Sequence, residues 1–139
     1  MPSWTAPVDR ASLYTVTNTD WNGNLGVNGN TAYLYGDVAW TNVASFTNSW
    51  VNFASGTFSA GYRLVGNRVF LRGAIKSGTI NTAAFTLPAG YRPTANINLV
   101  AVSNLAVGAV QILSSGVVTP AAGSNVWFSF DGLSFDTLA

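Results

Sequence analysis

The run Arg68-Val69-Phe70-Leu71-Arg72-Gly73-Ala74-Ile75-Lys76 decides between the two regular structures open to this chain. Extended, it alternates: Val69, Leu71 and Ile75 fall on one face, and Arg68, Phe70, Arg72 and Lys76 on the other. As a helix it would stack Arg68, Arg72 and Lys76 at i, i+4 and i+8, a repulsive column. It would also enclose Gly73, at about 1 kcal/mol relative to Ala. A strand is expected, apolar on its inner face and basic on its outer one.

Outward from this strand the pattern repeats. From Asp37 on, short β-branched and aromatic runs are punctuated by Gly, Asn, Ser and Pro about every ten residues. Further strands are expected at Trp50 to Phe53, Tyr62 to Val65, Ala83 to Leu87, Ile97 to Val102, Ala109 to Leu113, Val117 to Thr119 and Val126 to Phe130. Val65-Gly66-Asn67-Arg68 and Phe130-Asp131-Gly132-Leu133 read as tight turns, the second carrying the Asp-Gly pair suited to positive φ. No run is long enough for the crossover helix that parallel strands need. The expected fold is all-β, an antiparallel, jelly-roll-like sandwich over residues 37–139; a small barrel is the neighbouring solution.

Residues 1–36 read differently, as an N-terminal arm or attachment segment. Thr17-Asn18-Thr19-Asp20 has the spacing of a helix start, with Trp21 and Leu25 four apart, but Gly23, Gly26 and Gly29 limit any helix to one or two turns.

Composition removes whole classes of chemistry. The 139 residues include five Arg, one Lys, five Asp and no Glu, His or Cys. Imidazole bases, thiolate nucleophiles, zinc–thiolate sites and disulfides are therefore excluded, and no cofactor or metal site is expected. A net charge of +1 gives no long-range pull on nucleic acid or anionic lipid. No apolar stretch approaches the length of a membrane span, and Met1-Pro2-Ser3-Trp4 lacks the basic and apolar regions of a leader, so a soluble, unprocessed chain without membrane insertion is expected. Apolar residues make up 48% and aromatics 13%, enough to offset the entropy of ordering. Asn, Thr and Ser number 41, so the wettable surface is amides and hydroxyls, with few charges to oppose association. Self-assembly is the expectation.

Candidate sites follow from what remains. Arg63, Arg68, Arg72, Lys76 and Arg92 are five of the six cations, and no acid occurs from Val38 to Phe130. Arg68, Arg72 and Lys76 make a candidate ligand or partner surface for phosphate-bearing polymers or acidic subunits. A solvated outer face that resists edge pairing accounts for the same residues. Trp50 and Trp127 sit inside strand patterns and are expected in the core. Trp4, Trp21 and Trp40 lie outside them and are candidate subunit-interface anchors. Asp131 and Asp136 could be cast as a glycosidase pair, but the first is explained by its turn and the second lies near Ala139. Ser77 and Lys76 point to opposite strand faces, which leaves a hydroxyl nucleophile without its amine. No catalytic residue is assigned, and the chain is expected not to be an enzyme.

Three stretches carry a resemblance: Ser49-Trp50-Val51-Asn52-Phe53, Tyr62 through Gly73, and Phe85-Thr86-Leu87-Pro88-Ala89-Gly90-Tyr91-Arg92-Pro93. Together they resemble a β-rich module of tail-fibre and minor tail proteins of tailed bacteriophages. Trp127-Phe128-Ser129-Phe130-Asp131-Gly132-Leu133-Ser134-Phe135 is similar to that module's last hairpin, so the likeness runs over about residues 40–136. The opening Pro2-Ser3-Trp4-Thr5-Ala6-Pro7 and Val16 to Asn22 look like the start of many phage structural proteins, although here three glycines interrupt the helix that usually follows. Leu113-Ser114-Ser115-Gly116 stands where an Asp-Gly turn is more usual. The resemblance implies a non-catalytic virion protein, homotrimeric, made in the host cytoplasm and placed on the tail or capsid surface. Its implied partners are its own copies, other virion proteins and a host surface, with glycan as the expected receptor. The alternative it implies is a trimeric capsid-decoration protein of the same fold.

Overall fold

The computed structural model describes residues 38–138, within the unit Val38–Ala139. The expected arm over residues 1–36, its short helix, Trp4 and Trp21 lie outside the described residues. Among the latter, eleven strands form and no helix. They are β1 (Thr41–Asn42), β2 (Val51–Asn52), β3 (Gly61–Val65), β4 (Arg68–Arg72), β5 (Ala74–Lys76) and β6 (Phe85–Thr86). There follow β7 (Ile97–Ser103), β8 (Ala106–Ile112), β9 (Val117–Ala122), β10 (Phe128–Ser129) and β11 (Ser134–Asp136). All pairs are antiparallel, in a four-stranded sheet ordered β1-β3-β4-β11 and a seven-stranded sheet ordered β2-β5-β10-β7-β8-β9-β6. The expected all-β, sandwich-like fold is the one found.

The deciding run is not one strand. It breaks at Gly73, leaving β4 in the smaller sheet and β5 in the larger. Gly73 adopts φ +90°, a region closed to most L-residues, and a Cβ there would lie 2.4 Å from the Ser59 carbonyl oxygen. The bend is fastened by Asp131, whose Oδ1 accepts the Gly73 N–H at 2.7 Å, while the Gly73 carbonyl accepts the Phe130 N–H at 2.8 Å. The inward set survives the break, because Val69, Leu71 and Ile75 are all buried as alternation demands. The outward set does not, since Lys76 is carried into the other sheet, away from Arg68 and Arg72.

Turn chemistry sets the registers. The Gly66-Asn67 loop joins β3 to β4 with Gly66 at φ +62°, pairing Val65 with Arg68 and Arg63 with Phe70. Gly132, at φ +79°, closes the Phe130–Leu133 turn, in which the Leu133 N–H reaches the Phe130 carbonyl at 3.1 Å. Ser115-Gly116 likewise makes the expected turn, with the Gly116 N–H on the Leu113 carbonyl at 2.8 Å.

The core lies where the inner faces meet. The smaller sheet contributes Val69, Leu71 and Phe135, and the larger one Ile75, Phe85, Ala101, Val110, Ile112, Val118 and Phe128. Phe130 meets Phe85 edge to face at 5.5 Å and Phe128 at 5.7 Å. Each fully buried Val, Leu, Ile or Phe side chain among them contributes about 1.5–3 kcal/mol. Trp50 is buried as expected and lies flat on Gly78, where a Cβ would stand 2.1 Å from the indole. Its Nε1 has no hydrogen-bond partner among the described residues.

Candidate recognition surface

Strand parity gives the smaller sheet an outer face of unusual composition. Inward go Tyr62 and Leu64 of β3 and Val69 and Leu71 of β4. Outward go Gly61, Arg63 and Val65 of β3 and Arg68, Phe70 and Arg72 of β4, with Ser134 and Asp136 of β11 paired opposite Phe70 and Arg68. Trp40, one residue before β1, completes the face.

The guanidinium carbons of Arg63 and Arg72 lie 4.6 and 4.7 Å from the centroid of the Trp40 ring. Arg72 also lies 4.8 Å from the Phe58 ring, and Arg63 is 5.6 Å from Phe70. Each cation–aromatic contact of this kind is worth about 0.5–1 kcal/mol at an exposed site. Their larger consequence is order: a stacked arginine has already lost much of the rotamer freedom that ligand binding would otherwise take. Gly61 makes room for the array. Paired with Arg72 across the sheet, it leaves a notch in which a Cβ would stand 2.8 Å from the Thr41 carbonyl oxygen and 3.5 Å from Arg72 Nε.

Arg72 is underused as a donor. Among the described residues its fork makes one hydrogen bond, from Nη2 to Asn42 Oδ1 at a long 3.4 Å, and its buried Nε has no partner. Arg68 is placed differently: its Nη1 pairs with Asp136 Oδ1 at 3.1 Å and its Nε donates to Ser134 Oγ at 3.0 Å. The partners of that ion pair are 48% and 62% exposed, so it contributes less than about 1 kcal/mol.

The three cations expected together are thus divided. Arg68 and Arg72 share a face, while Lys76 sits in the larger sheet with its Nζ 5.6 Å from the Phe53 ring. In its place stands Arg63, which the hairpin register brings beside Phe70 and Trp40. The turn at Gly66-Asn67 is the sequence signal that could have found it, because a two-residue loop fixes which side chains face each other across β3 and β4. Of the expected interface tryptophans, Trp40 is half-buried by its two arginines. Trp127, expected in the core, is instead only half-buried, packed against Phe53 at 6.2 Å. Asp131 is occupied by the Gly73 N–H and by Ser129 Oγ, which donates to Oδ2 at 3.2 Å.

A second surface lies on the larger sheet. The β7–β8 hairpin turns through Asn104 and Leu105, both left-handed at φ +48° and +63°. Leucine is a poor occupant of that conformation, and this one is 89% exposed. Around it Val100, Val102 and Val107 are 73%, 52% and 80% exposed, and Val102 pairs with Val107 across the strands. With Asp131 and Leu133 these residues line a shallow groove of about 360 Å³. The sequence pattern marked the two strands but not this tip.

A smaller hollow of about 260 Å³ lies beside Tyr62, Leu87, Pro88 and Arg92. Tyr91 packs edge-on against Tyr62 at 4.8 Å, and burial, reinforced by that neighbour, raises the Tyr62 phenol above its ordinary pKa. Arg92 is tied down there, its Nε donating to the Leu87 carbonyl at 2.8 Å.

No protein-family model, curated protein or solved structure matches the chain.

Proposed function

We propose that this chain is a non-catalytic structural protein of a tailed-bacteriophage particle, of the tail-fibre or receptor-binding type. In this reading it assembles as a homotrimer and recognises a host surface, with glycan as the receptor class. The observation that carries the reading is the bare apolar hairpin of β7 and β8. Val100, Val102, Leu105 and Val107 form a contiguous patch whose in-sheet neighbours, Asn98, Ala109 and Gln111, are uncharged. Asp131, at the margin of the patch, is tied to the Gly73 N–H and Ser129 Oγ, and contiguous exposed apolar surface of this kind marks interaction sites. The occupation of Asp131 and Asp136 by structural contacts supports binding rather than turnover, and the likeness of residues 40–136 to tail modules supports placement in a virion.

The test is adsorption of the purified full chain to host cell envelopes and to bare capsids, scored by co-sedimentation. Retention on envelopes alone is the expected result. Retention on capsids alone would reassign the chain to shell decoration, and retention on neither would overturn both placements.

A further inference from the structure

We infer that the outer face of the β1-β3-β4-β11 sheet is the recognition site, and that its ligand is an anionic polysaccharide carrying repeated phosphate or carboxylate groups. The inference rests on the surface-recognition reading above and specifies its ligand.

Three features of the face select that chemistry. The first is charge: among the described residues it presents the guanidiniums of Arg63, Arg68 and Arg72 against the single carboxylate of Asp136, which is already paired with Arg68. A neutral sugar would have no use for this excess, whereas an anion meets planar forks suited to two-point contact. The second is unspent donor capacity. Arg72 is held in place by Trp40 and Phe58, yet it gives the protein one long hydrogen bond. Its orientation is fixed by aromatic faces, which accept no N–H at the edges of the fork; with Nε buried, the Nη1/Nη2 end is the part open to an incoming oxyanion. The third is shape and apolar content. Phe58 is 64% exposed beside Arg72, an open aromatic face against which the C–H side of a pyranose can pack. Among the described residues no wall encloses this face, which suits an extended chain that runs across several side chains, not a small molecule sealed in a cavity.

The experiment measures binding of the full chain to three immobilised polymers: a poly(glycerol phosphate), a polyuronate such as alginate, and neutral dextran. Binding to at least one of the two anionic polymers but not to dextran is expected, with the stronger arm identifying phosphate or carboxylate as the natural group. Affinity should fall at least tenfold between 50 and 300 mM salt. The double variant Arg63→Gln/Arg72→Gln should lose at least tenfold in affinity while keeping its circular dichroism; its unfolding midpoint falls with the lost stacks, so binding is measured below that lowered midpoint. Arg72→Lys, which keeps the charge and loses the planar fork, should lose several-fold. Lys76→Gln removes one positive charge from the other sheet and should bind like the parent. Equal binding to dextran, an unaffected double variant, or an equal loss in Lys76→Gln would each overturn the inference. Envelope adsorption separates the two levels of the account. If the double variant still adsorbs to envelopes like the parent, the ligand site is wrong and the recognition role stands. If the parent adsorbs to no envelope, the role itself fails.

Discussion

Gly73 is the residue on which the architecture turns. Its φ of +90° and the 2.4 Å approach a Cβ would make to the Ser59 backbone leave no L-residue an unstrained fit. Gly73→Ala should therefore cost about 3 kcal/mol or more, combining a left-handed penalty with overpacking, as read from the urea midpoint. Asp131 holds the same bend through one charge-assisted hydrogen bond. Asp131→Ala should cost about 2 kcal/mol, and Asp131→Asn, which keeps an acceptor, less than half of that. The sequence shows why one of these roles is visible and the other is not. The burial of Val69, Leu71 and Ile75 is legible because a period of two needs only neighbouring residues. The break at Gly73 depends on the backbone of Ser59 and on a carboxylate 58 residues further on, and nothing local announces it. The same reasoning explains Lys76: its assignment to one face with Arg68 and Arg72 assumed an unbroken strand.

At the scale of elements, the two hairpins behave in opposite ways. The β3–β4 hairpin carries Gly66 where positive φ is required, so its turn was readable and its register places Arg63 on the outer face. The β7–β8 hairpin puts Leu105 in a conformation that propensity assigns to glycine or asparagine, and its tip was not readable. A leucine kept there, exposed and strained, is better explained by contact with a partner than by the stability of the hairpin. Leu105→Gly should relieve the left-handed penalty and raise the stability of the isolated chain by about 1 kcal/mol, measured by thermal unfolding at low concentration. The same substitution should weaken self-association. A variant that is both less stable and equally associated would count against this account of the tip.

For the whole molecule, the proposal gives the two surfaces separate work. The larger sheet exposes an uncharged apolar hairpin suited to another copy, and the smaller sheet displays stacked arginines suited to an anion. Trimerisation would multiply the second surface, converting a modest affinity per subunit into an avid contact with a repetitive polymer. The proposed trimer would also account for a chain of 139 residues with only eleven charges, because buried hairpins need no ionic protection. The claim beneath it is that the β7–β8 face is covered by the chain's own copies. Sedimentation equilibrium at micromolar concentration tests this most directly. The account predicts a species of about 44 kDa, three times the 14.6 kDa chain, that dissociates when Val102 and Val107 are both changed to Asp. A single species at the monomer mass across the whole concentration range would contradict it.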